Sequence, residues 1–284
     1  MKSIAINAFN DNYIWVLQSD NHCMIVDPGE STPVLDFFAE HPHLIPCCVL
    51  ITHLHADHIN GIKDLHRHFP ELMVYGPRNI NNYVDTAYEI PLDVETINLP
   101  MFGNTLVLHT PGHTAEHLSF VVDQYCFTGD TLFYGGCGRP FFDINALYQS
   151  MQVLLALPDE LMVCCGHDYT HNNLQFALLL EPNNQAIFDR INHLPSTEPT
   201  SLALEKMTNP FLRTHLTSFQ QSVMKTYQHW LQNTPKNFHN IKLVMDTLKN
   251  TLQNHPKDPY DTKISGFLLF QCIRHLKDHF YQTV

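Results

Sequence analysis

The decapeptide Thr52-His53-Leu54-His55-Ala56-Asp57-His58-Ile59-Asn60-Gly61 follows directly on the apolar run Cys48-Val49-Leu50-Ile51. A short apolar run that ends in polar residues predicts a buried strand opening into a loop. Three imidazoles and a carboxylate between positions 53 and 58 are poor material for a core. They are good material for binding a cation. Along an extended stretch side chains alternate, so His53 and His55 point the same way. The turn that follows can swing Asp57 and His58 toward a neighbouring point. Imidazole and carboxylate together suit zinc, iron or manganese. Gly61 relieves crowding where a helix over residues 59–68 begins.

Working outward, four more polar signals follow apolar runs. The stretch TPGHTAEH at 110–117 offers His113, and FTGDTLF at 127–133 offers Asp130. CGHDYT at 165–170 offers His167, and GGCGR at 135–139 is a glycine-rich loop with a cation. Taken singly, each histidine could be a satisfied polar residue. Together they place seven candidate ligands just beyond apolar runs, where open α/β architectures build their sites.

The rest of the chain supplies the frame. Short β-like segments at 4–8, 13–18, 24–26, 47–52, 72–75, 105–109, 118–123, 125–128 and 161–164 alternate with helical patterns at 33–40, 59–68 and 145–157. Hairpin spacing between several of them favours two stacked sheets flanked by helices over a doubly wound sheet. Beyond residue 170 the texture becomes helical, with patterns at 174–180 and 186–194. Phe219, Val223, Tyr227 and Leu231 recur every fourth residue; Ile241, Val244, Met245, Leu248 and Leu252 follow a 3-4 stripe; Leu269, Ile273, Leu276 and Phe280 mark a last helix. These stripes are core-packing faces.

Composition excludes several classes. The 284 residues are 44% hydrophobic and 11% aromatic, enough for a full core. No apolar run reaches the roughly 18 residues of a membrane span. The N-terminal stretch alternates like a strand and does not resemble a secretion or transit signal. A formal charge of −12 disfavours nucleic acid as a partner. That charge is uneven: residues 1–170 hold five Lys and Arg against twenty Asp and Glu, residues 171–284 eleven against eight. An acidic segment rich in histidine can be neutralised by divalent metals, while cations elsewhere receive an anionic substrate. The eight cysteines form no C-x-x-C pair. They read as buried free thiols in a reducing, cytoplasmic setting.

The ligand constellation resembles the metallo-β-lactamase fold superfamily, and within it the hydroxyacylglutathione hydrolases, or glyoxalase II. The runs FNDNYIWVL, VDPGE, FTGDTLFYGGCGR, CCGHDYT and NPFLR are also similar to that family, as is the end RHLKDHF. The resemblance implies a four-layer αββα sandwich with a helical C-terminal domain, divided at 1–172 and 173–284. It implies two divalent metals, zinc first, with iron or manganese compatible. His53, His55 and His113 would hold one, Asp57, His58 and His167 the other, and Asp130 would bridge both. The implied reaction is hydrolysis of an S-2-hydroxyacylglutathione, typically S-D-lactoylglutathione, by a metal-bound hydroxide, with Asp57 and Asp130 at the chemistry.

For substrate binding the resemblance points to Arg274 and Lys277, which share one helix face at i and i+3 and would hold the glycine carboxylate of glutathione. It adds Tyr169 and Arg139, and an aromatic that is either Phe141 or Phe142. The similarity runs through residues 1–213 and resumes near 258. Between them, residues 214–257 form an apparent insertion, expected as a helical hairpin broken at Pro235. The sequence assigns no oligomeric state.

Overall fold

Strand β2 (Asn12–Ser19) is buried along both faces, and this sets the layer order. In the computed structural model, which describes residues 1–194, 198–233 and 265–280, it is the second strand of a six-stranded sheet. That sheet runs β1 (Lys2–Ala8), β2, β3 (His22–Val26), β4 (Ile45–Leu50), β5 (Met73–Gly76), β6 (Tyr88–Glu89). The period of two sorts its side chains. Trp15, Leu17, Met24, Val26, Cys48 and Leu50 pack with Val107, Phe120, Phe127 and Val163 of a second sheet. Their neighbours Ile14, Val16, Cys23, Ile25, Val49 and Ile51 pack instead with Val34 and Phe38 of α1 (Thr32–Glu40) and with Ile62 and Leu65.

The second six-stranded sheet comprises β7 (Thr96–Leu99), β8 (Gly103–His109), β9 (Leu118–Val122), β10 (Tyr125–Gly129), β13 (Met162–Cys165) and β14 (Thr200–Ser201), in the order β14-β13-β10-β9-β8-β7. A two-strand ribbon, β11 (Leu132–Phe133) with β12 (Gly136–Cys137), stands apart. Asp143 caps the first turn of α4 (Ile144–Leu155) by accepting from the Ala146 amide, and Leu147, Met151 and Leu154 are buried with the second sheet's residues. The result is an αβ/βα sandwich. Hydrogen bonds stitch the sheets together at the end where the polar loops emerge. Trp15 Nε1 donates to Cys165 O at 2.8 Å, and the Tyr13 amide donates to Gly166 O at 2.8 Å.

The helix expected over 59–68 is two short helices, α2 (Ala56–Ile59) and α3 (Ile62–His68). The break falls at Gly61, whose amide donates to Pro28 O at 2.9 Å and where a Cβ would meet the Glu30 backbone at 2.6 Å. Strands β6, β7 and β14 went unforeseen because each is two to four residues long. That is too short for alternation to show.

The helical region that follows holds α5 (Thr170–Leu180), α6 (Gln185–Asn192), α7 (Leu202–Thr208), α8 (Thr217–Asn233) and α9 (Gly266–Phe280). Phe219 and Val223 on α8, and Leu269, Ile273 and Leu276 on α9, are buried as their spacing requires. The stripe from Ile241 to Leu252, and with it the expected second helix of a hairpin, lies outside the described residues. No helix among the described residues is long and apolar enough to cross a membrane.

Candidate metal centre and substrate cavity

Four strand ends deliver the candidate ligands to one place. The loop after β4 carries His53, His55, Asp57 and His58, the loop after β8 carries His113, and Asp130 and His167 follow β10 and β13. His53 and His55, two apart on extended chain, converge with His113: His55 Nδ1 lies 3.1 Å from His53 Nε2 and 2.9 Å from His113 Nε2. Asp57, His58 and His167 form a second group, with His58 Nε2 and His167 Nε2 3.3 Å apart and each within 3.6 Å of Asp57 Oδ2. Asp130 stands between the groups. Its Oδ1 is 3.4 Å from His58 Nε2, and its Oδ2 is 3.4 Å from both His113 Nε2 and His167 Nε2.

The hydrogen bonds behind the rings fix which nitrogen faces inward. His58 Nδ1 lies 3.0 Å from Asp27 Oδ2, His167 Nδ1 2.9 Å from Asp11 Oδ1, and His113 Nδ1 2.9 Å from Arg139 O. Each acceptor holds the proton on Nδ1 and leaves the Nε2 lone pair aimed at the cluster. Thr52 Oγ1 donates to Asp27 Oδ2 at 2.6 Å, so its lone pair accepts from His53 Nδ1 at 3.0 Å. With neutral rings, His58 Nε2 and His167 Nε2 would therefore press acceptor against acceptor at 3.3 Å. A cation removes that conflict. Nearest neighbours around a tetrahedral ion with metal–nitrogen bonds of about 2.0–2.1 Å lie about 3.3 Å apart, near the observed spacings.

Electrostatics agree with a site built for positive charge. Burial pulls His58 and His167 toward neutrality, yet Asp130 and the neighbouring carboxylates more than offset it. His58 is raised, and His167 is pushed up to about 11. Asp57 is held well below the usual carboxylate range, chiefly by its hydrogen bond with His167. Burial works against the Asp130 carboxylate, but the imidazoles of His58, His167 and His113 outweigh it and lower its pKa. Asp130 Oδ1 is buried with no hydrogen-bond partner, and a Cβ on Gly166 would come within 2.5 Å of it. His53, the most enclosed of the set, is pushed well down by burial. The donor set fits two divalent ions.

One cavity of about 650 Å³ runs from this cluster to the C-terminal helix. His55, Asp57, His113, Asp130 and His167 line its floor, and Arg274 and Lys277 line its far end. Tyr169 lies flat on the His167 ring, with centroids 5.1 Å apart and planes 6° apart. Of the two aromatic candidates, Phe141 lines the cavity with its ring 5.2 Å from that of His113. Phe142 is not among the lining residues. Arg139 sits at the rim and lies 6.0 Å from the Phe141 ring.

Comparison with known proteins decides the family. The metallo-beta-lactamase superfamily profile matches residues 9–167, and a hydroxyacylglutathione hydrolase C-terminus profile matches residues 168–280. The hydroxyacylglutathione hydrolase of Aliivibrio fischeri strain MJ11 is 42% identical over 233 residues, covering 79% of this chain and 91% of its own. The chain belongs to the hydroxyacylglutathione hydrolases. Among solved structures, ETHE1 from Myxococcus xanthus aligns with a TM-score of 0.57 at 25% identity, over 83% of this chain and 93% of its own. TTHA1623 in a di-iron-bound form aligns with a TM-score of 0.51 at 27% identity, over 75% and 100%.

Several residues that support this site carry no signal in the sequence that singles them out. Asp11 and Asn12 lie on the turn into β2 and reach His167 Nδ1 and Asp57 Oδ2, the latter by a 3.0 Å bond from Asn12 Nδ2. Asp27 ends β3 with φ of 51°, unusual for a non-glycine residue. His117, four residues past His113, is not turned into the cavity. Its Nε2 accepts from the Asp130 amide at 3.1 Å, and burial pushes the ring down to about 3. The runs FNDN, VDPGE and TPGHTAEH contained these residues; residue type alone does not separate a support from a ligand.

Proposed function

We propose that the enzyme hydrolyses S-2-hydroxyacylglutathione thioesters, typically S-D-lactoylglutathione, to glutathione and a 2-hydroxy carboxylate. The observation that carries this reading is the continuity of one cavity from the histidine–aspartate cluster to Arg274 and Lys277. His53, His55 and His113 would hold the first metal, Asp57, His58 and His167 the second, and Asp130 would serve both. Zinc is the first choice for this nitrogen-rich set. The di-iron relative supports iron as an alternative, and manganese suits the same donors. When bound, such ions supply activated water at neutral pH and neutralise the charge that develops on the carbonyl oxygen.

The chain's own groups divide the remaining work. Asp57 and Asp130 differ in access: the Asp57 side chain is 41% exposed and the Asp130 side chain 9%. Asp57 is thus the carboxylate that can orient an attacking water, held in place by Asn12, while Asp130 is sequestered as the bridge. The thiolate of glutathione leaves readily, since a thiol pKa is about 8.5, so no strong general acid is required. Arg274 and Lys277 receive the glycine carboxylate, Tyr169 and Arg139 the peptide, and Phe141 the apolar edge.

Residues 1–172 act as the catalytic domain and residues 173–284 as the substrate-binding domain. The eight free thiols support a cytoplasmic setting. The test is turnover of S-D-lactoylglutathione measured with metal analysis of the same preparation. Rapid loss of the thioester with two metals per chain is expected. A fully metallated protein without turnover would overturn the reading.

A further inference from the structure

Asn209 opens the run NPFLR, which contributes nothing to the cluster or to the cavity lining. Its side chain is fully buried. Its Nδ2 donates across the turn between β11 and β12, to Phe133 O at 3.1 Å and Gly136 O at 2.8 Å, and lies 3.3 Å from Glu205 Oε2. Its Oδ1 accepts from the Phe211 amide at 3.0 Å. Glu205, one helical turn earlier, accepts from the Gly135 amide at 2.8 Å.

Cys137 O, next along from Gly136 in the same loop, accepts from Arg274 Nη1 at 2.9 Å. Phe211, whose amide Asn209 caps, places its ring 5.4 Å from the Arg274 guanidinium. Arg274 lines the cavity, and its Nε is buried without a hydrogen-bond partner. We propose that Asn209 is a positioning residue for substrate binding: by latching the β11–β12 turn it sets the Cys137 carbonyl, and through it the aim of Arg274. The inference rests on the glutathione-thioester reading above.

Two variants test it. Asn209→Ala removes the latch and the cap on Phe211, whereas Asn209→Ser removes the latch and keeps a hydroxyl able to cap. Both should raise KM for S-D-lactoylglutathione by about five- to tenfold, the scale of one lost hydrogen bond acting at a distance. Maximal turnover, metal content and KM for a short thioester lacking the peptide should stay near wild type. In an Arg274→Ala background, Asn209→Ser should add little, because coupled residues are not additive. A rise confined to Asn209→Ala, equal losses on both thioesters, or additive effects with Arg274→Ala would overturn the assignment. Wild-type turnover with an Arg274-dependent KM that ignores both variants would sink the Asn209 role alone. Absence of wild-type turnover would sink the glutathione-thioester reading and the inference with it.

Discussion

Asp27 Oδ2 lies 3.0 Å from His58 Nδ1, and the same oxygen accepts from Thr52 Oγ1, which in turn holds His53 Nδ1. One buried carboxylate therefore orients a histidine of each candidate metal group. Outer partners of this kind are worth about 10- to 100-fold in metal affinity. Asp27→Ala should weaken both sites by that order, while Thr52→Val, which cuts only the branch to His53, should weaken the first site alone. Metal content after dialysis against graded chelator measures both. Equal retention by wild type and Asp27→Ala would exclude the orienting role.

Asp130 lies 3.4 Å from His58, His113 and His167 and so touches both groups, whereas His58 and His167 belong to the proposed second site. Replacing Asp130 with Ala should lower metal content at both positions and cost activity by orders of magnitude. His58→Ala and His167→Ala should empty the second site first. The bridging assignment fails if Asp130→Ala retains two metals per chain with near-normal turnover, or if the histidine variants lose the first metal and keep the second.

How far the sequence alone carried these conclusions follows from where the residues sit. The ligands were legible because they crowd behind apolar runs, and strand ends in a two-sheet sandwich converge at one edge. That His53 and His55 face the same way followed from the period of two; their sharing of one metal came from the resemblance. The supports were not legible. Asp27 and Asp11 act across 31 and 156 residues, and nothing local distinguishes them from solvated acids. The choice between Phe141 and Phe142 is likewise tertiary: only one of two adjacent loop residues meets the cavity, and the loop is tied to Gly112, whose carbonyl accepts from the Phe142 amide at 3.1 Å.

That choice gives the third prediction. Both rings are largely exposed, but Phe141 lines the cavity beside His113 and Phe142 does not. Losing a phenyl contact of this kind should cost about 1–2 kcal/mol of binding, or roughly five- to thirtyfold in affinity. Phe141→Ala should raise KM accordingly, and Phe142→Ala should stay within about twofold. Steady-state kinetics on the same thioester decide it, and equal effects would remove Phe141 from the site.

Lys277 supplies a pH dependence that the metal centre does not. It is almost wholly buried, its ammonium donates to Asn172 O at 3.1 Å, and it lies 5.0 Å from the Phe176 ring. Burial first, and the Arg274 guanidinium second, push it down to about 7. In the free enzyme it is then charged below that pH and neutral above. A substrate carboxylate binds the charged form, so binding must take up a proton once pH exceeds about 7, and affinity falls as pH rises. KM for S-D-lactoylglutathione should climb between pH 7 and 9 in wild type, with a slope of at most about tenfold per unit. Lys277→Arg keeps its charge throughout this range, so its KM should vary much less. Lys277→Met lacks the charge at every pH, so its KM should be raised and nearly flat. Turnover at saturation reports the metal centre and should follow one common profile in all three proteins. If the three KM profiles run parallel, Lys277 does not titrate against the substrate, and the carboxylate must be held by Arg274 alone.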